Sequence, residues 1–337
     1  MIGRVLILGA GVAGMEVATR LKELGIFPIV IERQSCVGGH LAKWDRLFPG
    51  IQPAQSVLES ITQGIDGIYT MTDTTLISVE RVNNNNYKVG LSNGDIIVVE
   101  AIVVATGFTL FNARRKEEYG YGIYDHVITN ADLEKFFKTG SDNRVVNPEK
   151  IGFVHCVGSR DEKICNRQCS KICCITAVKQ SIELKERFPE ADIYCFYMDL
   201  RMFGRGYEDL YLEAQSKYGV RFIRGRVSEV SEDNDSKVIV KAEDTLSSRP
   251  VNIKLDLLIL MSGMVADITN TDLLKSMGIK LGEDGFANSL NSFDGNVHSD
   301  SPGIFLAGAV SGPKSIPDTI NSARSATIAV HKYLKSR

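Results

Sequence analysis

Residues 5–32 contain the feature that most narrows what this chain can become. Val5 to Leu8 is a short apolar run, followed at once by Gly9-Ala10-Gly11-Val12-Ala13-Gly14. Met15 to Leu24 then has helix-forming composition, and Ile29-Val30-Ile31 ends in Glu32. Strand, G-x-G-x-x-G turn, helix, strand and acidic residue together specify a dinucleotide-binding βαβ unit. Gly9 permits the tight turn, Gly11 lets the backbone approach a pyrophosphate, and Gly14 lets the helix pack close to the sheet, with Ala13 in the same turn. The helix N-terminus favours negative charge. Glu32 is placed to accept hydrogen bonds from a ribose diol, and Gly25 is predicted to end the helix.

The following residues favour FAD. Glu32-Arg33 leads to Gly38-Gly39, which resembles the two-dinucleotide-binding flavoproteins. There a second glycine pair lets the chain pass close to the isoalloxazine side of the cofactor, and a plain NAD dehydrogenase has no reason to carry it. His40 follows and is a flavin-facing candidate, with a hydrogen-bonded loop histidine as the plainer alternative. Cys36 is expected to be a bystander.

The strand–turn–helix pattern occurs twice. "KIGFVHCVGS" (150–159) echoes "GRVLILGAGVAG". "AIVVATGF" (101–108), with Ala105, Thr106 and Gly107 at its end, is matched by "LLILMSGM" (257–264). This is a duplicated nucleotide-binding architecture: an α/β chain of two Rossmann-like, three-layer domains, one inserted in the other. Residues 301–312 form a strand entering a glycine turn, and a terminal helix follows with Pro317 near its start. In flavoproteins of this layout that segment returns to the FAD domain, which makes Gly308, Ala309, Ile316 and Pro317 candidate FAD contacts. Its helix N-terminus is expected to meet the flavin end where negative charge builds on reduction. Ala309 stands where many FAD proteins place an Asp, so contact there falls to backbone groups. The expected FAD domain is 1–147 plus 288–337, the inserted domain is 148–287, and the loops 139–150 and 281–292 are the hinges. The two runs flanking Asn83 to Asn86 read as antiparallel strands, with a second turn at Asn93-Gly94.

Composition excludes other classes. Lys and Arg number 39 and Asp and Glu 41, so the formal net charge of −2 points to neither nucleic acid nor an anionic membrane surface. No stretch reaches the roughly 18 uncharged apolar residues of a membrane span. The glycine-broken N-terminal run reads as strand and turn, not as a secretory signal, so a cytoplasmic location is expected. In that compartment clustered cysteines point to metal or redox chemistry before a disulfide framework.

Five of the seven cysteines fall between residues 156 and 174. Cys156 stands where Gly9 stands in the first copy, and only Gly158 remains of the phosphate-cradling turn. A helix is predicted from about Ser170 to Phe188, with Cys169 and Cys173 on one face and Cys174 turned by about 100°. Cys156, at the strand end, could close a four-thiolate cage over the helix N-terminus. The C-x-x-C of a redox disulfide and the ferredoxin run C-x2-C-x2-C-x3-C-P are both missing. Adjacent cysteines make poor zinc ligands. Spacing ranks an iron–sulfur cluster ahead of zinc and leaves a vicinal Cys173–Cys174 disulfide open. Cys195, in "DIYCFYM", is expected in a strand core.

"CVGSRDEK…CSKICCITAVKQ", with C-x12-C-x3-C-C spacing, and "GIFLAGAVSGPKSIPDTINSA" resemble the A-type subunits of heterodisulfide reductases over nearly the whole chain. The resemblance implies a thioredoxin-reductase-like flavoprotein with FAD in the first domain. It also implies a 4Fe–4S cluster in the second domain on Cys156, Cys169, Cys173 and Cys174, with Cys165 outside the pattern. Lys179 is implied as a catalytic cation near the flavin, against a solvated helix lysine. Expected partners are the B and C subunits of such a complex, NAD(H) or another electron carrier, and a second copy in a homodimer. The extra ferredoxin-type motifs of the large methanogen-type subunits are missing. The resemblance therefore implies the compact heterodisulfide-reductase-like complexes of sulfur-oxidising prokaryotes rather than flavin-based bifurcation. A rival is a self-contained NAD(P)H-dependent disulfide oxidoreductase. Residues 199–211 are a candidate partner surface, with ordinary loop packing as the alternative.

Overall fold

The computed structural model describes residues 3–82 and 86–337, and residues 83–85 of the expected asparagine turn lie outside them. The chain divides into two compact units, one of residues 1–42, 54–109 and 265–337, the other of residues 43–53 and 110–264.

In the first unit, Arg4–Leu8 is the centre of a five-stranded parallel sheet. Its neighbours are Phe27–Ile31, continued by Tyr69–Met71, and Ala101–Val104, continued by Ile304–Leu306. Alternation along each strand sends side chains to opposite faces. Val5, Ile7 and Val103 pack in one buried cluster with Met15, Val17, Ala326 and Val330 of the helices Val12–Glu23 and Ile316–Lys335. Leu6, Leu8, Ile102 and Val104 pack in another with Tyr87, Val89 and Val99. These last belong to an antiparallel sheet of Leu76–Val82, Asn86–Leu91 and Ile96–Val99, where Gly94 takes the turn at φ 90°. Both faces of the parallel sheet are therefore covered, which is why its strands are continuously apolar. The result is three layers: helices, parallel sheet, antiparallel sheet.

The second unit repeats this plan. Its parallel sheet runs Val127–Thr129, Leu257–Ser262, Lys150–Val157, Asp192–Tyr197, Arg221–Arg224. A three-stranded antiparallel sheet follows at Val227–Glu232, Val238–Asp244 and Arg249–Leu255. In both units the strand that leads into the glycine or cysteine turn is central. The expected duplication, and the thioredoxin-reductase-like class of fold, are present.

Residues 110–147 belong to the second unit, because Val127–Thr129 pairs with Leu258–Leu260 as the sheet's outer strand. The helix Asn130–Thr139 follows it directly, entered through a capping box of Thr129 and Asp132. The chain thus crosses between units near residues 109 and 264, and also visits the second unit with residues 43–53.

The helix Val12–Glu23 can start where it does only because residue 14 is glycine. A Cβ there would collide with the Gly9 carbonyl oxygen, which is backbone and cannot yield. Gly14→Ala should therefore lower stability by about 1–3 kcal/mol, read from the denaturant midpoint; an unchanged midpoint would show that the helix can shift to make room.

Candidate functional site

The expected FAD contacts all lie in the first unit. Gly9, at φ 102°, donates its N–H to Ile31 O at 2.8 Å. Nothing stands within 4 Å of a Cβ at Gly11. Glu32 is buried, with Oε2 accepting from Ala10 N at 2.7 Å and Oε1 from Gln34 N at 3.0 Å. Gly38 N donates to Ala10 O at 2.8 Å, and a Cβ on Gly39 would lie 3.2 Å from Gly11 Cα. The second glycine pair is thus laid directly on the first. Ala13 Cβ stands 2.6 Å from where a Cβ on Gly308 would be, and Gly308 N donates to Ser322 Oγ at 3.1 Å. Ala105 N donates to Leu8 O at 2.9 Å, beside the open backbone of Gly107, and Ala309 is buried.

Two observations fit a dinucleotide. The helix Val12–Glu23 has neither a side-chain cap nor an acidic first turn, so its N-terminal dipole is uncompensated by the chain, as a pyrophosphate site requires. Thr106 Oγ1 is buried with no hydrogen-bond partner. The helix beginning at Ile316 and Pro317 is different. Ser315 and Asp318 close a capping box on it, so a carboxylate already stands in its first turn. Arg33 is paired with Asp267 at 2.8 Å and bonds Thr269 Oγ1 at 3.1 Å. His40 stacks on Phe108 with ring centroids 4.3 Å apart and bonds its carbonyl through Nε2 at 3.1 Å.

In the second unit Cys156, the penultimate residue of the central strand, lies at a register shift, with φ 59°. Gly9 also has positive φ, so the position demands a left-handed residue in both copies and a cysteine bears that strain here. The helix starts at Cys173, later than expected, because Lys171 is left-handed at φ 66° and breaks the last turn. Cys169 therefore lies on the preceding loop, its sulfur accepting from Lys171 N at 3.3 Å. Cys174 Sγ donates to Asp199 O at 3.7 Å. Cys173 sits between its neighbours: hydrogen bonding with the Cys156 and Cys174 sulfurs draws its thiol pKa down from the usual range. Those two are pushed up, by bonding to Cys173 and by burial. Cys195 is fully buried in its strand.

Cys165 is exposed at the tip of a tight hairpin in which Asp161 and Asn166 exchange backbone bonds. Asp161, itself buried, pins that hairpin: it pairs with Lys116 at 2.7 Å and Arg226 at 3.0 Å.

Among the described residues no three His, Cys, Asp or Glu side chains are arranged to hold a metal ion; the thiols bond to one another instead. The donor set nonetheless fits a cluster in kind. It is four soft thiols from a strand end, a loop and a helix N-terminus. Around them lie buried polar atoms with no partner: both nitrogens of His155, the hydroxyls of Ser159, Ser170 and Ser262, and Arg160 Nη1. Sequence reasoning missed this shell. Its one signal is position, since Ser159-Arg160 follows Gly158 and Ser170 follows Cys169.

Lys179 is no solvated helix lysine. It is buried, ion-paired with Glu134 and donating to Arg46 O at 3.1 Å. Its Nζ is also 3.0 Å from Glu183 Oε2, yet neither Glu183 oxygen accepts a well-aligned hydrogen bond.

Two duplicated nucleotide-type domains, the first with an open dinucleotide turn and the second with a thiol constellation, define a redox enzyme of two-domain flavoprotein type. The chain belongs to the pyridine nucleotide-disulphide oxidoreductase family, whose model matches residues 3–146 and 194–327 and so flanks the cysteine segment. It is an oxidoreductase, and the family supports FAD as its cofactor. The expected kinship with the A-type subunits of heterodisulfide reductases holds. The chain is 31% identical to the A subunit of the H(2)/formate:CoB-CoM heterodisulfide,ferredoxin reductase of Methanococcus maripaludis, over 96% of this chain and 63% of that protein. It is 42% identical to the iron-sulfur A subunit of the CoB–CoM heterodisulfide reductase of Methanocaldococcus jannaschii, over 69% of this chain and 37% of that one. The chain thus spans under two thirds of these relatives. In fold it is similar to thioredoxin reductases from Lactococcus lactis (TM-score 0.70, 18% identity, 99% of this chain and all of that one) and T. acidophilum (0.68, 16%, 99% and 98%). No described helix is long and apolar enough to cross a membrane.

Burial, helped by the neighbouring Glu134 carboxylate, pushes the Glu183 carboxyl up to about 7 from 4.5 against the pull of Lys179. The folded chain then keeps a proton that the unfolded chain loses, so this group's stabilising share is whole below pH 4.5 and falls as pH rises to about 7. Glu183→Gln should flatten that decline, whose size is on the order of 3 kcal/mol at most. Urea midpoints at about pH 5 and about pH 7.5 measure it, and equal slopes in both proteins would refute it.

Proposed function

We propose that this chain is an electron-transfer component, with FAD in the first unit and a 4Fe–4S cluster on Cys156, Cys169, Cys173 and Cys174 of the second. It serves a heterodisulfide-reductase-like complex that oxidises sulfane or disulfide sulfur, exchanging electrons with B- and C-type subunits and with NAD(H) or another carrier. A cytoplasmic location and a homodimer go with this reading. The observation that carries it is the meeting of Cys156, Cys173 and Cys174 at the strand end and helix start where the first unit has its glycine turn. FAD, when bound, exchanges electrons singly or in pairs, and a cluster exchanges them singly.

The chain's own residues have separable tasks. The Gly9–Gly14 turn and the uncapped helix beside it bind the pyrophosphate. Glu32 turns from its backbone amides to accept from the ribose, and Gly38-Gly39 admits the flavin side. The four cysteines enter the ligand set as thiolates, so assembly in the second unit releases protons. Asp161, through Lys116 and Arg226, fixes the loop that carries Cys169. Lys179 is the proposed cation for the reduced flavin. Its burial with Glu134 means that Lys179→Ala also strands a carboxylate, so its flavin potential, not its stability, tests that role.

A second reading is a self-contained NAD(P)H-dependent disulfide oxidoreductase. It is favoured by Cys173, whose thiol pKa is drawn down by the two further thiols beside it, as thiol–disulfide exchange requires.

Iron, sulfide and flavin assays on anaerobically purified protein separate the two. About four irons and four sulfides per FAD are expected, with iron lost in Cys169→Ser and kept in Cys165→Ser. FAD without iron, together with an oxidisable thiol pair, would establish the second reading instead.

A further inference from the structure

The buried polar atoms around the four cysteines have an arrangement of their own. Arg160 follows Ser159 in the turn after Cys156, at φ 52°, with its N–H donating to Gln168 O at 3.0 Å. Its Nη2 donates to Asp199 Oδ2 at 2.7 Å. Asp199 is also the residue whose carbonyl accepts the Cys174 thiol. The guanidinium is thereby clamped on one side, while Nη1 on the other is buried and has no acceptor.

Ser170, next to Cys169, is placed with equal economy. Its Cβ and Oγ would lie 3.2 Å and 3.3 Å from a Cβ on Gly263, with Ser159 Cβ also at 3.2 Å. A side chain at 263 would press on both serines. Ser170 Oγ is buried without a partner.

Leaving a buried donor without a partner is costly, so several at one place mark a site built to give hydrogen bonds. Sulfur ligands of a cluster are acceptors, and each added electron makes a four-thiolate cluster more negative. Donors aimed at the sulfurs therefore stabilise the reduced form and raise the potential. We propose that Arg160, oriented by Asp199, sets the reduction potential of the cluster as its charged hydrogen-bond donor, with Ser170 as a weaker neutral one. Both are positioning residues: neither ligates iron. The inference rests on the cluster reading above.

The test uses the full chain, purified anaerobically as wild type, Arg160→Gln, Arg160→Lys and Ser170→Ala, with iron, sulfide and FAD assayed on each. The cluster is then titrated with mediators and followed by electron paramagnetic resonance. At the solution potential that reduces half of the wild-type clusters, Arg160→Gln is expected to show a reduced-to-oxidised ratio about tenfold lower. Arg160→Lys should recover most of it, and Ser170→Ala should shift less in the same direction. Full iron with unchanged ratios in both Arg160→Gln and Ser170→Ala overturns the proposal. So does loss of iron from Arg160→Gln with FAD retained, which would make Arg160 a scaffold for the ligands. Wild type without iron fails at an earlier step and refutes the cluster reading itself.

Discussion

At the end of the central strand in each unit, the backbone must turn left-handed to enter the helix layer. In the first unit Gly9 does this at φ 102°, and Gly14 then lets the helix close over its carbonyl. In the second unit Cys156 does it at φ 59°. One steric demand, met by two residue types, separates the two copies. At Gly9 the missing side chain makes room for the Ala105 carbonyl oxygen, 2.7 Å from where a Cβ would lie, whereas Cys156 places a thiol at the corresponding point.

The second unit also buries an unusual amount of charge, and it does so in two separate groups. Lys116, Asp161 and Arg226 tie the cysteine hairpin to the 110–120 segment. Lys179, Glu134 and Glu183 tie the cysteine helix to the helix Asn130–Thr139. Breaking either by removing one partner would leave a buried charge uncompensated, typically a loss of about 3–5 kcal/mol. Such groups fix geometry more than they add stability, which suits a loop and a helix whose shared task is to hold sulfur atoms in place.

What the sequence discloses is local or repeated. The Gly9–Gly14 turn, the acidic end at Glu32, the Asn93-Gly94 hairpin turn and the doubled strand–turn–helix pattern rest on spacings of a few residues, and they stand where expected. What it conceals depends on distant pairing. Glu183, four residues from Lys179, is readable as a helix pair, but Glu134 lies 45 residues away and arrives only through the Val127–Thr129 strand. That strand has three residues, too few to show a period, which is why residues 110–147 read from sequence as part of the other module. The late start of the cysteine helix hinges on the backbone of Lys171 alone, a residue type with no turn preference to announce it.

The threading of the chain has a consequence for how the molecule forms. The first unit is assembled from three separate stretches, and its outer strand Ile304–Leu306 and the helix Ile316–Lys335 come from the last of them. Until the ribosome has delivered those residues, Ala101–Val104 has an open edge and Val5 and Ile7 lack half their cover. The second unit, with all the strands of its two main sheets between residues 127 and 262, has no such wait. The nascent chain therefore passes through a stage in which the later-encoded module is complete while the earlier one still shows an unpaired strand and bare apolar surface. That interval is the one in which a chaperone, or premature self-association, would find it.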